Sequence, residues 1–296
     1  MKLYPSYIKV FISCWMLFFA AITLEGADLS ESSSVIRAIA NTNYHVEPGL
    51  KVAKLYELDP AFFSKLQEEI VHLVEVNKPS DVNQKNHVTH WTKPWGNAIQ
   101  YSLLNRSGRF EDTSVDHNSS VFQKAFHHEE MYPYLAQFIR FFPHATNFRI
   151  NVMGANSGLS QHEECSCMRN HQGVPMVRAR FHLPIQTNPL VYLFVDQEVF
   201  SFKEGSIYFF NNGGIHSSEN NDPEKSRIHL VWDMLLTEDT FNRMFARKTL
   251  PKKIFQPVEK WTVPVEFYRP LDPAYAGNHN GYSLEEARAT RLCDLQ

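Results

Sequence analysis

The feature that most constrains the fold is a change of hydrophobic period at Asn147. From this point the chain carries short apolar runs with a period of two, separated by turn signals such as Asn188-Pro189. That period is typical of strands with one buried face. The predicted strands are residues 148–152, 177–185, 191–195, 199–202, 206–210 and 227–236. Many short strands at regular spacing predict a two-sheet jelly roll or barrel.

Amphipathic helices are predicted before these strands. Asp59 and Pro60 are suited to begin a helix over residues 60–77, and a second helical stripe covers residues 131–142. The fold class is therefore mainly β with flanking α-helices that brace one sheet. A capping box predicts a short helix at residues 287–292 in the proline-rich tail, which we expect to wrap the surface.

The N-terminus predicts export or membrane anchoring. Residues 10–24 form an apolar run behind a basic start, which fits a signal peptide or signal anchor better than a buried core helix. We therefore divide the chain into a signal segment (1–27), a polar, serine-rich linker (28–55), a helical support region (56–146), the β core (147–240) and a C-terminal extension (241–296).

Charge and cysteine content limit the function classes. A net charge of −3 and a pI near 6.5 give no support for nucleic-acid binding. Cys14 lies in the apolar run, and the odd number of remaining cysteines argues against a disulfide framework. Cys165 and Cys167 are either zinc ligands or ordinary thiols. The sequons at Asn105 and Asn118 are compatible with a secretory lumen.

A candidate metal site is formed by His162, Glu164 and His216. Residues i and i+2 of a strand point to the same side, so His162 and Glu164 can reach one ion, and His216 can join them from another strand. Two histidines and one carboxylate leave open positions on a metal, as in non-heme Fe(II) oxygenases. Rival ligands are the histidines 171, 182 and 229, and Glu163 is the alternative carboxylate.

Basic side chains form a candidate anion site. The predicted strand over residues 177–185 carries Arg178, Arg180 and His182 on one face and apolar residues on the other. Either that face is simply exposed, or Arg180 and His182 point into the barrel, where buried arginine needs a carboxylate partner. Arg227 offers a further two-pronged partner for a carboxylate.

Three ordered motifs resemble the aspartyl/asparaginyl β-hydroxylase family of Fe(II)- and 2-oxoglutarate-dependent oxygenases. They are an approach strand that ends at His162, an Arg-x-His-Leu motif at residues 180–183, and a strand followed by His216 and then by Arg227 before a hydrophobic strand. The resemblance covers residues 149–233. It implies a double-stranded β-helix, a jelly-roll or cupin-like core.

The resemblance also implies roles for individual residues. His162 and His216 match the iron ligands, while Arg180, His182 and Arg227 match residues that hold 2-oxoglutarate, and Asn151 falls at a polar cosubstrate contact. The best-known peptide hydroxylases of the family use two histidines alone, whereas this chain has Glu164 at the carboxylate position. No catalytic residue is expected beyond the metal ligands.

The implied reaction is hydroxylation of a C–H bond by dioxygen, coupled to decarboxylation of 2-oxoglutarate to succinate. The expected substrate is an amino-acid side chain, either in a peptide or in a small amino-acid-like molecule. The aromatic, basic loop from His90 to Gly96 is a candidate substrate contact, with ordinary tryptophan packing as the alternative.

Two other classes of function stay open at this point. One is an exported, non-catalytic jelly-roll binding module with a structural metal, in which Arg180 and Arg227 would lie far apart. The other is a cupin-type isomerase or dioxygenase that does not use 2-oxoglutarate. Succinate production distinguishes the first expectation from both.

Overall fold

Antiparallel strands form two sheets in the computed structural model, which describes residues 32–43, 47–77, 98–116, 123–162, 164, 166–169 and 175–271. The helices are α1 (Ser32–Asn43), α2 (Pro60–Val76), α3 (Pro133–Arg140) and α4 (Glu238–Met244). The strands are β1 (Val52–Leu58), β2 (Ala98–Ser102), β3 (Thr146–Met153), β4 (Ser157–His162), β5 (Cys167–Arg169), β6 (Pro175–Gln186), β7 (Val191–Val195), β8 (Glu198–Phe200), β9 (Ser206–Phe210), β10 (His216–Asn220), β11 (Arg227–Leu235), β12 (Phe255–Pro257) and β13 (Phe267–Tyr268).

The order of the strands defines the fold. The larger sheet runs β12-β1-β9-β6-β11-β3-β2, with β5 paired to β6, and the smaller sheet runs β13-β8-β7-β10-β4. Between β3 and β11 the chain passes back and forth between the sheets: β3, β6, β9 and β11 lie in one, and β4, β7, β8 and β10 in the other. This alternation is the double-stranded β-helix, so the predicted fold class is confirmed.

Strand β11 is buried on both faces, which explains its unusual sequence. Ile228, Leu230 and Trp232 point into the large apolar core beneath the helices. The alternate residues, which include Arg227, His229 and Asp233, are also buried and face the smaller sheet. The same division applies to β6: Phe181 and its apolar neighbours join the large core, and the basic residues face the smaller sheet.

The helices close the outer side of the larger sheet, as predicted. Asp59 caps α2 by accepting hydrogen bonds from the backbone N–H groups of Ala61 and Phe62. Phe138 of α3 contacts Trp232 edge-on at 5.5 Å, and Phe148 of β3 stacks on the same indole at 5.5 Å. These aromatic contacts fix the larger sheet against the helices and leave its other face free to line a site.

The prediction of a linker is wrong for residues 32–43, which form α1. Val35 and Ile39 are fully buried in the large core, so this serine-rich segment supplies an apolar stripe despite its polar composition. The Asn211 amide donates to the Ile39 carbonyl at 3.0 Å and to the Leu50 carbonyl at 2.9 Å. Helix α1 therefore supports the turn that leads into His216.

Deleting residues 1–27 is expected to leave a folded domain, whereas deleting residues 1–45 should destabilise it severely. The longer deletion removes the buried side chains of Val35 and Ile39, at a cost of about 3–6 kcal/mol. This loss is a large part of the free energy of unfolding of many domains, which is about 5–15 kcal/mol. Denaturant unfolding of the two truncated proteins checks this, and equal stabilities would show that α1 contributes nothing.

The segments that flank the core also extend its sheets. Strands β1 and β12 pair with each other at one edge of the larger sheet, and β2 forms the opposite edge. Strand β13 pairs with β8 of the smaller sheet. The region expected to be helical support and the C-terminal extension therefore both contribute strands. The polar strands β4 and β10 were absent from the predicted apolar pattern, although the family resemblance implied a strand that ends at His162.

Several predictions lie outside the described residues. These are the apolar run, the loop from His90 to Gly96, the sequon at Asn118, the tail helix, and His171, Glu163 and Cys165. Among the helices that the structure describes, none has the length and apolar character needed to cross a membrane. The Asn105 amide is 1% exposed and bonded to the carbonyls of Ser102 and Arg109, so this sequon is not accessible to glycosylation in the folded chain.

Candidate functional site

Strands β4 and β10 bring His162 and His216 together. The two residues are paired directly across the strands, and their ring centroids are 4.1 Å apart. The pairing follows from chain connectivity, because β4 ends at His162 and β10 begins at His216. Two imidazoles therefore lie side by side at one end of the smaller sheet.

Glu164 completes a group of three potential ligands. One nitrogen of each imidazole and one carboxylate oxygen all lie within 4.8 Å of one another. Strand β4 has ended before Glu164, so the i, i+2 rule does not place this side chain. Instead, the Glu164 backbone N–H donates to the Asn212 carbonyl at 2.9 Å, which ties it to the turn before His216.

The tautomer of His216 suits a metal ligand. Its Nδ1 lies 2.9 Å from the Gly214 carbonyl, which can only accept, so Nδ1 carries the proton and Nε2 keeps its lone pair. Burial lowers the pKa of His216 well below its ordinary value, so the ring is neutral at pH 7. A neutral ring oriented by a backbone carbonyl is the usual state of a metal-bound histidine.

One cavity of about 250 Å³ is lined by the predicted metal ligands and by most of the predicted anion-binding residues. It lies between the two sheets, with Leu159 and Leu193 on one wall and Phe210 on another. The side chains predicted from the sequence that line it are Asn151, His162, Glu164, Arg180, His182, His216 and Arg227. The structure thus brings the predicted metal and anion residues into the same space.

Arg227 lies in this cavity as a buried cation. Its side chain is 4% exposed, and Nε has no hydrogen-bond partner within the described structure. Burial lowers its pKa to about 10, which still leaves the guanidinium charged at pH 7. An unpaired buried cation is costly, so the site is suited to an anionic ligand.

His182 and Asn151 add unsatisfied polar atoms beside Arg227. His182 Nε2 and Asn151 Oδ1 are both buried and have no partner in the described part of the chain. Burial, reinforced by the charges of Arg180 and Arg227, lowers the pKa of His182 well below its ordinary value. His182 lines the cavity, and its Nδ1 lies 3.4 Å from His229 Nδ1 on the neighbouring strand.

Arg180 differs from the sequence prediction. It points inward as expected, but its guanidinium is bonded to two protein carboxylates, Glu164 and Asp233. Arg178, for which an exposed position was considered, also pairs with both of them. The carboxylate partners of these arginines belong to the chain itself, so their burial does not require a ligand.

The ion pairs around the cavity leave the Arg227 guanidinium as the one cation without a carboxylate partner among these described residues. Arg178 and Arg180 are balanced by Glu164 and Asp233, as described above. Arg149 forms a two-pronged pair with Asp116, with both distances at 2.7 Å. Arg227 is the remaining cation, and the metal candidates lie in the same cavity. The arrangement can hold a divalent cation at one end and a carboxylate at the other.

Sequence reasoning missed several polar side chains of the site. Asp233 lies on the same face of β11 as Arg227, so strict alternation along that strand would have indicated its inward position. Asn212 and Asn147 carried no comparable signal, because their contacts depend on how separate elements meet. His229, considered as a rival ligand, contacts His182 instead.

Comparison with family models identifies the relationship of the chain to known proteins. Residues 62–236 match the model described as Aspartyl/Asparaginyl beta-hydroxylase. This range is more than half of the chain and contains every candidate residue of the site. No match was found among curated protein sequences.

Solved structures give only remote likenesses. The viral collagen prolyl hydroxylase vCPH from Paramecium bursaria Chlorella virus-1, in its 2OG complex, is 10% identical over 61% of this chain and 95% of its own, with a TM-score of 0.30. A Pseudomonas putida prolyl-4-hydroxylase is 11% identical over 69% of this chain and 98% of its own, with a TM-score of 0.32. The non-heme alpha ketoglutarate dependent epimerase SnoN from nogalamycin biosynthesis is 11% identical over 80% of this chain and 98% of its own, with a TM-score of 0.35. These scores are too low to carry an argument.

Proposed function

Because this chain belongs to the aspartyl/asparaginyl β-hydroxylase family, we propose that the cavity between its two sheets binds Fe(II) and 2-oxoglutarate and presents a substrate C–H bond to them. As a member of the family the chain is a dioxygenase that uses these two cofactors. The observation that carries the assignment to this cavity is the buried Arg227, which has no ion-pair partner among the described residues and lines the same space as the cluster of His162, Glu164 and His216.

The metal would be held by His162, Glu164 and His216. The donor set of two imidazoles and one carboxylate fits Fe(II) and leaves further positions open for ligands. His216 already has its Nδ1 proton on a carbonyl, so it can present Nε2 without a change of tautomer. When bound, the iron supplies the oxidative chemistry: dioxygen and 2-oxoglutarate yield succinate, carbon dioxide and a hydroxylated C–H bond.

The cosubstrate would be held by Arg227, His182 and Asn151. A guanidinium can bind a carboxylate through two parallel hydrogen bonds, and burial strengthens that pairing. The His182 ring is neutral and lines the cavity, and its buried Nε2 has no hydrogen-bond partner among the described residues. The amide of Asn151 lies on the strand next to Arg227 and adds a third polar contact. Arg180, predicted for this role, is engaged by Glu164 and Asp233.

The substrate we propose is an amino-acid side chain, in a peptide or in a small amino-acid-like molecule. The family description supports this class. A non-catalytic binding module is disfavoured because it predicts that Arg180 and Arg227 lie far apart, whereas both line one cavity. We further propose that residues 10–24 direct export or anchor the chain to a membrane, which cell fractionation of the full-length and 28–296 proteins tests.

Turnover of 2-oxoglutarate is the test of this function. The Fe(II)-loaded protein is incubated with dioxygen, 2-oxoglutarate and a panel of peptides and free amino acids that contain aspartate, asparagine or proline. We expect succinate to form in step with a product that has gained one oxygen atom, and His216→Ala to form neither. A wild-type protein that binds iron but produces no succinate with any substrate would contradict the proposal.

A further inference from the structure

We propose that Arg180 is a positioning residue that orients Glu164 toward the metal, rather than a residue that binds the cosubstrate. This inference rests on the proposed metal site. The guanidinium stands between two carboxylates, with Nη1 and Nη2 at 2.6 and 2.9 Å from the two oxygens of Glu164. On its other side, Nε and Nη2 lie 2.8 and 3.0 Å from the two oxygens of Asp233.

The hydrogen bonds of Arg180 leave it little capacity for a third carboxylate. A guanidinium has five N–H groups in a fixed plane. Four of them are directed at Glu164 and Asp233, and the remaining one belongs to Nη1. A cosubstrate carboxylate could gain a two-pronged contact with Arg180 only by displacing a protein carboxylate that is already bonded. Arg227 requires no such displacement, because its Nε has no partner within the described structure.

The two oxygens of Glu164 are not equivalent. Oε2 accepts from Arg180, from Arg178 Nη2 at 3.1 Å and from Asn212 Nδ2 at 3.0 Å. Among the described residues, Oε1 accepts only from Arg180. Each carboxylate oxygen has about two lone pairs, so the acceptor capacity of Oε2 is used and Oε1 retains a lone pair. The geometry therefore assigns Oε1 as the oxygen that is free to bind a metal.

Asp233 connects this arrangement to the rigid larger sheet. It is fully buried on β11, directly opposite Arg180 on β6. Asn147 of β3 donates to Asp233 Oδ2 at 2.6 Å, so three adjacent strands meet at this carboxylate. Glu164 itself lies beyond the end of β4. Its side chain is thus oriented from the opposite sheet, through Arg180, in the way that hydrogen-bonding partners orient metal ligands.

A double-mutant cycle on metal affinity tests the inference without relying on turnover. Calorimetric Co(II) titrations are made on the full chain and on Arg180→Lys, Glu164→Ala and the double variant. Lysine keeps the charge but cannot present the fork. We expect Arg180→Lys to weaken Co(II) binding by about 10- to 100-fold, as loss of an orienting partner typically does. In the Glu164→Ala background the same substitution should have no further effect.

Arg149→Lys is the matched control, because the Arg149 side chain is 15% exposed, as that of Arg180 is, and lines the cavity in a two-pronged pair with Asp116. Arg149 makes no hydrogen bond to Glu164. The Co(II) affinity of the Arg149→Lys protein should therefore stay within about two-fold of wild type. If Arg180→Lys does not fold, Asn212→Ala replaces it. That variant removes one donor from Oε2, and we expect a weakening of a few-fold that also disappears without Glu164.

Three outcomes would overturn the inference. They are an unchanged affinity in Arg180→Lys, an Arg180→Lys effect that persists in the Glu164→Ala background, and a Glu164→Ala protein that binds Co(II) as wild type does. The first two separate Arg180 from the orientation of Glu164, and the third leaves the two histidines as the metal site. Failure of the proposed metal site is a separate result, in which His162→Ala and His216→Ala both retain Co(II).

Discussion

Replacing Arg227 by alanine is expected to weaken 2-oxoglutarate binding by roughly 100- to 5,000-fold while metal binding survives. Removing one partner of a buried charged pair costs about 3–5 kcal/mol, and each 1.4 kcal/mol corresponds to about a tenfold change in affinity. Arg227 is 4% exposed and lies in the cavity with the metal candidates without being one of them. Calorimetric titration of 2-oxoglutarate into the metal-loaded variant measures the change.

Two further substitutions at this position separate binding from folding. Arg227→Lys should recover only part of the affinity, because an ammonium group cannot form the two-pronged contact. Arg227→Met should lose the affinity but leave the ligand-free protein at least as stable as wild type, because it removes a buried charge that has no partner in the part of the chain the structure describes. Undiminished 2-oxoglutarate affinity in Arg227→Ala would assign the cosubstrate site to Arg180 and His182 instead.

Loss of either His162 or His216 is expected to abolish metal binding and hydroxylation together. Each substitution would remove one of three metal ligands. The loss of metal affinity should therefore exceed the 10- to 100-fold loss that is typical when an orienting partner is removed. Because the two rings are directly paired across β4 and β10, the variants should have similar effects. His229→Ala is the control: His229 is buried but does not belong to the metal cluster. Metal analysis that finds bound iron in both His162→Ala and His216→Ala would contradict the assignment.

The sequence predicted the larger sheet better than the smaller one, for a physical reason. Strands β6 and β11 have an apolar face toward a large core, so the period of two is visible in their residues. Strand β10 reads His-Ser-Ser-Glu-Asn and faces a polar cavity, so no apolar period marks it. Helix α1 was missed because its apolar stripe is short and lies within a serine-rich segment.

The residues that line the cavity were predicted more completely than their contacts. His162 and Glu164 were grouped by same-face spacing, yet β4 ends at His162 and the link between Glu164 and Asn212 brings the carboxylate into place. Alternation along its strand put Arg180 and His182 on one face but left the direction of that face open, and the family resemblance implied that it points inward. The Arg180 partner Asp233 could not be deduced, because the register between β6 and β11 depends on the whole sheet.

Anaerobic titration of 2-oxoglutarate into the wild-type protein, with and without Fe(II), tests the central claim most directly. The proposed function predicts one molecule bound per chain, much tighter with iron than without, because the cosubstrate would be held by the metal and by Arg227 together. Binding should be weaker by roughly 100- to 5,000-fold on the iron-loaded Arg227→Ala protein. Iron-loaded wild-type protein that shows no 2-oxoglutarate binding at any concentration would contradict the account.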